Sequence, residues 1–243
     1  MRLTRCFVDA TLAPGNDIAL PDAAATHLVR VLRLHEGDAC VLFNGDGHDY
    51  AAQIVSAGKR ETRVQIISAT PVNNESSLRI VLLQGIARGE KMDLILQKAT
   101  ELGVAALVPV QSERSEVKLD AERAARRVEH WRSVVVAACE QSGRAALPSI
   151  AAPQPLAVAA STEATLKLTL DPEGEHALSS LQAPSPATLA IAIGPEGGWS
   201  PRDRATLQAA GFSGLRLGPR ILRTETAGLA AIAALQSRFG DFS

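Results

Sequence analysis

The chain has 243 residues, a net charge of −1 and a 46% hydrophobic share, enough to bury one large core or two modest ones. No stretch approaches the roughly 18 uncharged apolar residues that a membrane helix needs, and Met1-Arg2-Leu3-Thr4-Arg5-Cys6 lacks an apolar signal segment, so the cytoplasm is the expected location. Cys6, Cys40 and Cys139 are odd in number and far apart, which fits a reducing compartment and argues against a disulfide framework; the scattered histidines predict no metal site.

The first seventy residues read mostly as β-structure. Pro21-Asp22 opens a short helix predicted to run to about Leu34. Residues 39–43 and 49–55 flank Asn44-Gly45-Asp46-Gly47, a strong hairpin signal, and Arg63 to Ile67 adds another strand. A small barrel with one helix fits this pattern. The polar run from Pro71 to Ser77 breaks periodicity, so the expected domains are 1–72 and 73–243.

Beyond that boundary the hydrophobic period changes. Ile80 to Gln84 reads as a buried strand, and Met92, Ile95, Leu96, Ala99 and Leu102 share one helical face that ends at Gly103. A strand at 105–110 follows, then a helix capped by Asp120 that holds Trp131 in its apolar stripe and stops near Gly143. Further strands are predicted at 166–170, 189–193 and 215–217. Strands alternating with helices predict a parallel sheet covered on both faces.

Two glycine-centred runs stand out, Gly194-Pro195-Glu196-Gly197-Gly198-Trp199-Ser200 and Leu217-Gly218-Pro219-Arg220-Ile221-Leu222-Arg223-Thr224-Glu225-Thr226-Ala227. Each follows a strand and precedes a helix, so together they could line one pocket at the carboxyl edge of the sheet. Ordinary tight turns are the competing reading. Ser200 as N-cap, Pro201 at N1 and Asp203 at N3 predict a helix start after the first run; Thr224 is the predicted cap after the second. Arg223 stands just before that cap, placed to face an anionic substrate. Trp199, in a loop, is expected to be more exposed than Trp131.

These motifs resemble those of the SPOUT-class methyltransferases, in particular the bacterial family that methylates N3 of a uridine in 16S ribosomal RNA. Matching stretches run along the whole chain: His27-Leu28-Val29-Arg30-Val31-Leu32-Arg33-Leu34, Arg88-Gly89-Glu90-Lys91-Met92-Asp93, Gln97 to Val104, Ser112-Glu113-Arg114, Ala138 to Arg144 and the two glycine runs. Departures are mild, with Arg88 where lysine is also common and Asp203 where glutamate is frequent. The resemblance implies an α/β fold: a C-terminal SPOUT trefoil-knot domain with a parallel sheet, after a small PUA-like β-barrel.

It also implies a homodimer that binds S-adenosyl-L-methionine through Leu170, Gly194, Pro195, Glu196, Gly197, Gly198, Leu217, Gly218, Ile221, Leu222, Thr224 and Ala227. Arg223 is the expected catalytic residue. With so balanced a charge, RNA must be gripped by local patches, for which Arg2, Arg5, His27, Arg30, Arg33, Arg88, Lys91, Lys98, Arg114 and Arg144 are candidates. His27, Arg30 and Arg33 are spaced to share a helical flank. Only 3% of residues are aromatic, so phosphate contact is expected to outweigh base stacking. A SPOUT enzyme with another RNA target, and a non-catalytic RNA-binding ribosome-assembly protein, remain as alternatives.

Overall fold

A computed structural model of the chain describes residues 3–58, 61–117 and 120–242. Arg2 lies outside them. The chain divides into two compact units, Met1–Glu75 with Cys139–Leu147, and Ser76–Ala138 with Pro148–Ser243. No helix among the described residues is long and apolar enough to cross a membrane, and no group of His, Cys, Asp or Glu among them could hold a metal ion.

The first unit is built on β1 (Arg5–Phe7), β2 (Asp17–Ala19), α1 (Asp22–Ala25), β3 (Ala39–Phe43), β4 (His48–Ala57) and β5 (Thr62–Pro71). The sheet order is β1-β3-β4-β5-β2, with only the β1–β3 pair parallel. Gly45 and Gly47 both take positive φ in the turn between β3 and β4, as the hairpin signal requires. Irregularities at Ala51/Ala52 and Ile54/Ser56 bend β4 against β5. Leu42, Ile54, Val64 and Ile66 point inward and pack with Leu28 from the helical segment.

That segment departs from expectation. After one α-turn, Thr26–Val31 winds as a π-helix, with the Leu32 N–H donating to the His27 carbonyl at 3.0 Å. The wider winding of a π-turn dissolves the shared flank expected for His27, Arg30 and Arg33. Arg33 lies beyond the helix with φ +59°, a left-handed conformation unusual for a non-glycine residue. Arg30 and Arg33 are exposed and His27 is half-buried.

Arg5 and Arg144, two of the expected RNA contacts, are buried instead. Arg5 forms an ion pair with Asp49 at 2.6 Å and donates to the carbonyls of Cys139 and Arg144. Arg144 forks onto the Glu75 carboxylate. A guanidinium withdrawn from water needs such partners, and these two are committed to holding the segment 139–147 in the first unit.

The second unit comprises β6 (Arg79–Gly85), α2 (Glu90–Glu101), β7 (Ala106–Gln111), α3 (Ala121–Ser142, whose last turn belongs to the first unit), β8 (Ser149–Ile150), β9 (Gln154–Pro155), α4 (Leu156–Ala159), β10 (Leu166–Leu170), β11 (His176–Ala177), β12 (Thr188–Ile193), α5 (Pro201–Ala209), β13 (Ser213–Arg216) and α6 (Thr224–Phe239). Every strand pair is parallel, in the order β11-β13-β10-β12-β6-β7-β8, with β9 also against β7. The central strands β6 and β12 are buried on both faces, which explains their unbroken apolar runs. Val81, Leu83, Ala190 and Ala192 pack under α4 and α5. On the opposite face Gly228 of α6 meets Leu82 and Ile193, the small residue letting the helix backbone lie close to the strands.

The order of β10, β12 and β13 places the candidate site. The chain leaves β12, passes through α5, and returns beyond β10 to form β13. The carboxyl ends of β12, β10 and β13 are therefore adjacent, and both glycine runs emerge there. Such a crossing point is where open α/β sheets leave a crevice.

Candidate functional site at the carboxyl edge of the sheet

The first glycine run, loop 1, is fixed at both ends. At its far end Ser200 accepts the Asp203 N–H at 3.0 Å while the Asp203 carboxylate accepts the Ser200 N–H at 3.0 Å, the reciprocal cap expected from the sequence. Trp199 is 5% exposed against 1% for Trp131, so both are buried and the expected contrast is slight: the Trp199 indole N–H donates to Thr169 Oγ1 at 3.0 Å, pinning the loop to β10. At the near end a Cβ on Gly85 would lie 2.5 Å from the Pro195 nitrogen, so the end of β6 gives the Gly194–Pro195 peptide its seat. Gly198 takes φ +65°, and a Cβ there would meet nothing within 4 Å.

The second run, loop 2, reaches α6 without the expected cap. Arg223 takes the N-cap position and Thr224 is the first helical residue. The Thr224 hydroxyl reaches across to the Gly194 carbonyl at 2.5 Å. A long-range partner has replaced the local capping role, and one hydroxyl now joins the two loops.

Between them lies a pocket of about 580 Å³, within the usual range for small-molecule sites. Each residue expected at the cofactor site lines it except Gly197. Gly197 faces Arg114 instead, whose guanidinium donates to the Gly197 carbonyl at 3.0 Å. Arg223, Trp199 and Lys91 are also in the wall, together with Asp171, Arg204 and Arg220, which sequence reasoning had not singled out.

The charges of the pocket sort themselves into pairs and a remainder. Asp171 is paired with Arg204. Lys91 Nζ sits 3.4 Å from Glu196 Oε1 and 4.0 Å from Glu225 Oε2, so it stands between the two loops. Burial pushes the Glu196 carboxyl up, but the Arg88 N–H at 3.1 Å and the Lys91 ammonium outweigh it, and the net shift is downward. Glu196 is thus ionised through the neutral range and poorly suited to take a proton. Arg220 and Arg223 carry no ion pair or side-chain hydrogen bond among the described residues. The wall's unspent charge is positive.

Several cations expected to meet RNA already have protein partners. The Arg88 backbone holds Glu196 while its side chain pairs with Glu116. Lys98, on α2, pairs with Glu101 at 2.9 Å. Lys91 and Arg114 are engaged as described above.

A parallel sheet with an apolar, partly charged pocket at a crossing of its carboxyl edge defines an α/β domain built to bind a nucleotide-like small molecule. The RNA methyltransferase domain model matches residues 74–236, and the RNA methyltransferase PUA domain model matches residues 20–67. The chain is 32% identical to the ribosomal RNA small subunit methyltransferase E of Bacillus subtilis, over 96% of each chain. It is 37% identical to the enzyme of that name from Neisseria gonorrhoeae, whose structure bound to S-adenosyl methionine matches with a TM-score of 0.92 over 100% of both chains. A Legionella pneumophila methyltransferase in complex with the same cofactor matches at 38% identity and a TM-score of 0.95, covering 99% of this chain and 100% of that one. The chain belongs to this RNA methyltransferase family, in the branch of the ribosomal RNA small subunit methyltransferases E. Its fold class is the one expected from the sequence, a SPOUT α/β-knot domain with a parallel sheet and a small PUA-like barrel.

Proposed function

We propose that the protein transfers a methyl group from S-adenosylmethionine to N3 of a uridine in 16S ribosomal RNA of the small subunit. The observation that carries this reading is the pocket between the two glycine loops, in a chain whose relatives of the same fold are solved with that cofactor. The residues present fit the group. Leu170, Leu217, Leu222 and Ala227 offer an apolar wall for an adenosyl moiety, and the unobstructed side of Gly198 lets the main chain approach it. When bound, the cofactor supplies a sulfonium-activated methyl group.

The protein's own contribution is position and charge. Uridine N3 is a poor nucleophile until its proton leaves, and the resulting anion spreads over the base. Arg223, unpaired at the pocket wall, stabilises that anion; Glu196, already held by Arg88 and Lys91, keeps loop 1 in place and takes no proton. N3 lies on the Watson–Crick edge, so the target uridine enters unpaired or flipped out. The barrel unit, residues 1–75 with 139–147, acts in RNA binding and the rest of the chain as the methyltransferase domain, in a cytoplasmic protein whose resemblance to the family supports a homodimer.

Liquid chromatography–mass spectrometry of nucleosides from small-subunit RNA tests the activity. Cells lacking the protein are expected to lose N3-methyluridine from 16S RNA, and an undiminished level would refute the assignment. Cofactor binding in calorimetry with loss of a different modified nucleoside would move the target to another RNA. No cofactor binding at all would favour a non-catalytic RNA-binding protein.

The barrel's share of RNA binding has its own test. Arg30 is exposed on the π-helical turn. Arg30→Glu is expected to weaken RNA binding about tenfold and to lower the salt dependence by about one phosphate contact, with cofactor affinity unchanged. RNA binding equal to wild type in filter-binding titrations would return Arg30 to the role of a solvated surface charge.

A further inference from the structure

Gln84 is the next-to-last residue of β6, a strand that is otherwise buried and apolar from Ile80 onward, and it is only 1% exposed. A primary amide in such surroundings is costly unless each of its polar atoms is matched. Here one is not. Nε2 donates to the Gly85 carbonyl at 2.9 Å and to Thr224 Oγ1 at 3.0 Å, whereas Oε1 has no partner among the described residues. A Cβ on Gly228 would lie 3.6 Å from that oxygen, so α6 closes over it. A methionine would fill similar space with no stranded acceptor.

The amide that the protein keeps has a directional consequence. The Gly85 carbonyl can only accept, which fixes the amide with its NH2 group toward both partners. Because Thr224 receives a hydrogen bond from Gln84, its single hydroxyl proton is free for the Gly194 carbonyl at 2.5 Å. The run Gln84 N–H to Thr224 O–H to Gly194 C=O therefore links β6, the Thr224 position of loop 2 at the start of α6, and the first residue of loop 1. Gly85, next in the chain, presses its bare Cα against the same Gly194–Pro195 peptide. Gln84 itself is absent from the pocket wall.

We infer that Gln84 is a positioning residue: it orients the Thr224 hydroxyl so that loops 1 and 2 are held at the separation the methyl donor requires. This rests on the proposed reading of the pocket as the S-adenosylmethionine site. The stranded oxygen is a stability cost accepted for pocket geometry, and that trade gives the idea its signature.

The test uses Gln84→Met, Thr224→Val, the double variant and Thr224→Ser in the full-length protein. Calorimetry gives affinities for S-adenosylmethionine and S-adenosylhomocysteine, thermal unfolding without ligand gives stability, and methyl transfer gives KM for each substrate. Gln84→Met is expected to unfold at or above the wild-type temperature, yet to bind both ligands about tenfold more weakly and raise KM for the donor but not for RNA. The double variant is expected to bind no more weakly than Thr224→Val alone, because both break one chain of bonds, and Thr224→Ser is expected to bind normally. A folded Gln84→Met with cofactor affinity within twofold of wild type, or fully additive losses in the double variant, would overturn the inference. If Gln84→Met does not fold, weakened binding by Thr224→Ser decides against the relay and normal binding by it, with loss in Thr224→Val, decides for it. Wild-type protein that binds neither ligand would sink the cofactor reading as well, which separates the two failures.

Discussion

Gly85→Ala is expected to remove detectable cofactor binding. The new methyl would lie 2.5 Å from the Pro195 nitrogen and 2.9 Å from the Gly194 carbonyl carbon, and both obstacles are backbone, so loop 1 must move. Overpacking of this kind costs about 1–3 kcal/mol, which for a chain of this size corresponds to a fall in Tm of roughly 2–12 °C. The functional loss is larger than the loss of stability, because a displacement near 1 Å in a positioning element costs about 100-fold in rate. Calorimetry and single-turnover methyl transfer on the same preparation check this. A variant that keeps wild-type cofactor affinity would show that the Gly194–Pro195 peptide is not part of the site's required geometry.

The second large effect is at Arg223. Removing a donor that stabilises developing negative charge costs about 100- to 1,000-fold in kcat. Arg223→Ala is expected to lose that much while cofactor affinity stays within about twofold of wild type, and Arg223→Lys is expected to recover part of the rate through charge without the planar fork. The measurement is kcat under saturating RNA and donor. If the loss appears entirely in KM for RNA, Arg223 holds phosphate and another group serves the base anion; Arg220, also unpaired at the wall, is then the first candidate.

What the sequence made legible was local. The cap formed by Ser200, Pro201 and Asp203 needs only neighbours within one turn, and it stands as read. The face of Met92, Ile95, Leu96 and Ala99 on α2 is buried as its spacing implies, and Gly103 ends that helix with positive φ. The two glycine runs likewise announced a pocket, because strand, loop and helix follow one another within each.

The misreadings involve partners far away in the chain. Trp199 is buried because Thr169 receives its indole N–H, and nothing in its loop foretells that. Thr224 forgoes the cap for Gly194, thirty residues back. Arg5 and Arg144 look like surface cations until the carboxylates of Asp49 and Glu75 are brought against them. Gln84 left one visible trace, a lone polar side chain near the end of an apolar strand, just before a glycine.

The return of residues 139–147 to the first unit bears on any attempt to dissect the molecule. The Phe7 N–H relies on the Glu140 carboxylate, Gly47 on the Ala145 carbonyl, and Arg5 on two carbonyls from the same stretch. A fragment ending at residue 75 would strip each of these donors of that acceptor, leaving Arg5 with Asp49 alone. The barrel is thus no detachable cassette, and swapping it between relatives requires carrying a tail encoded in the middle of its neighbour.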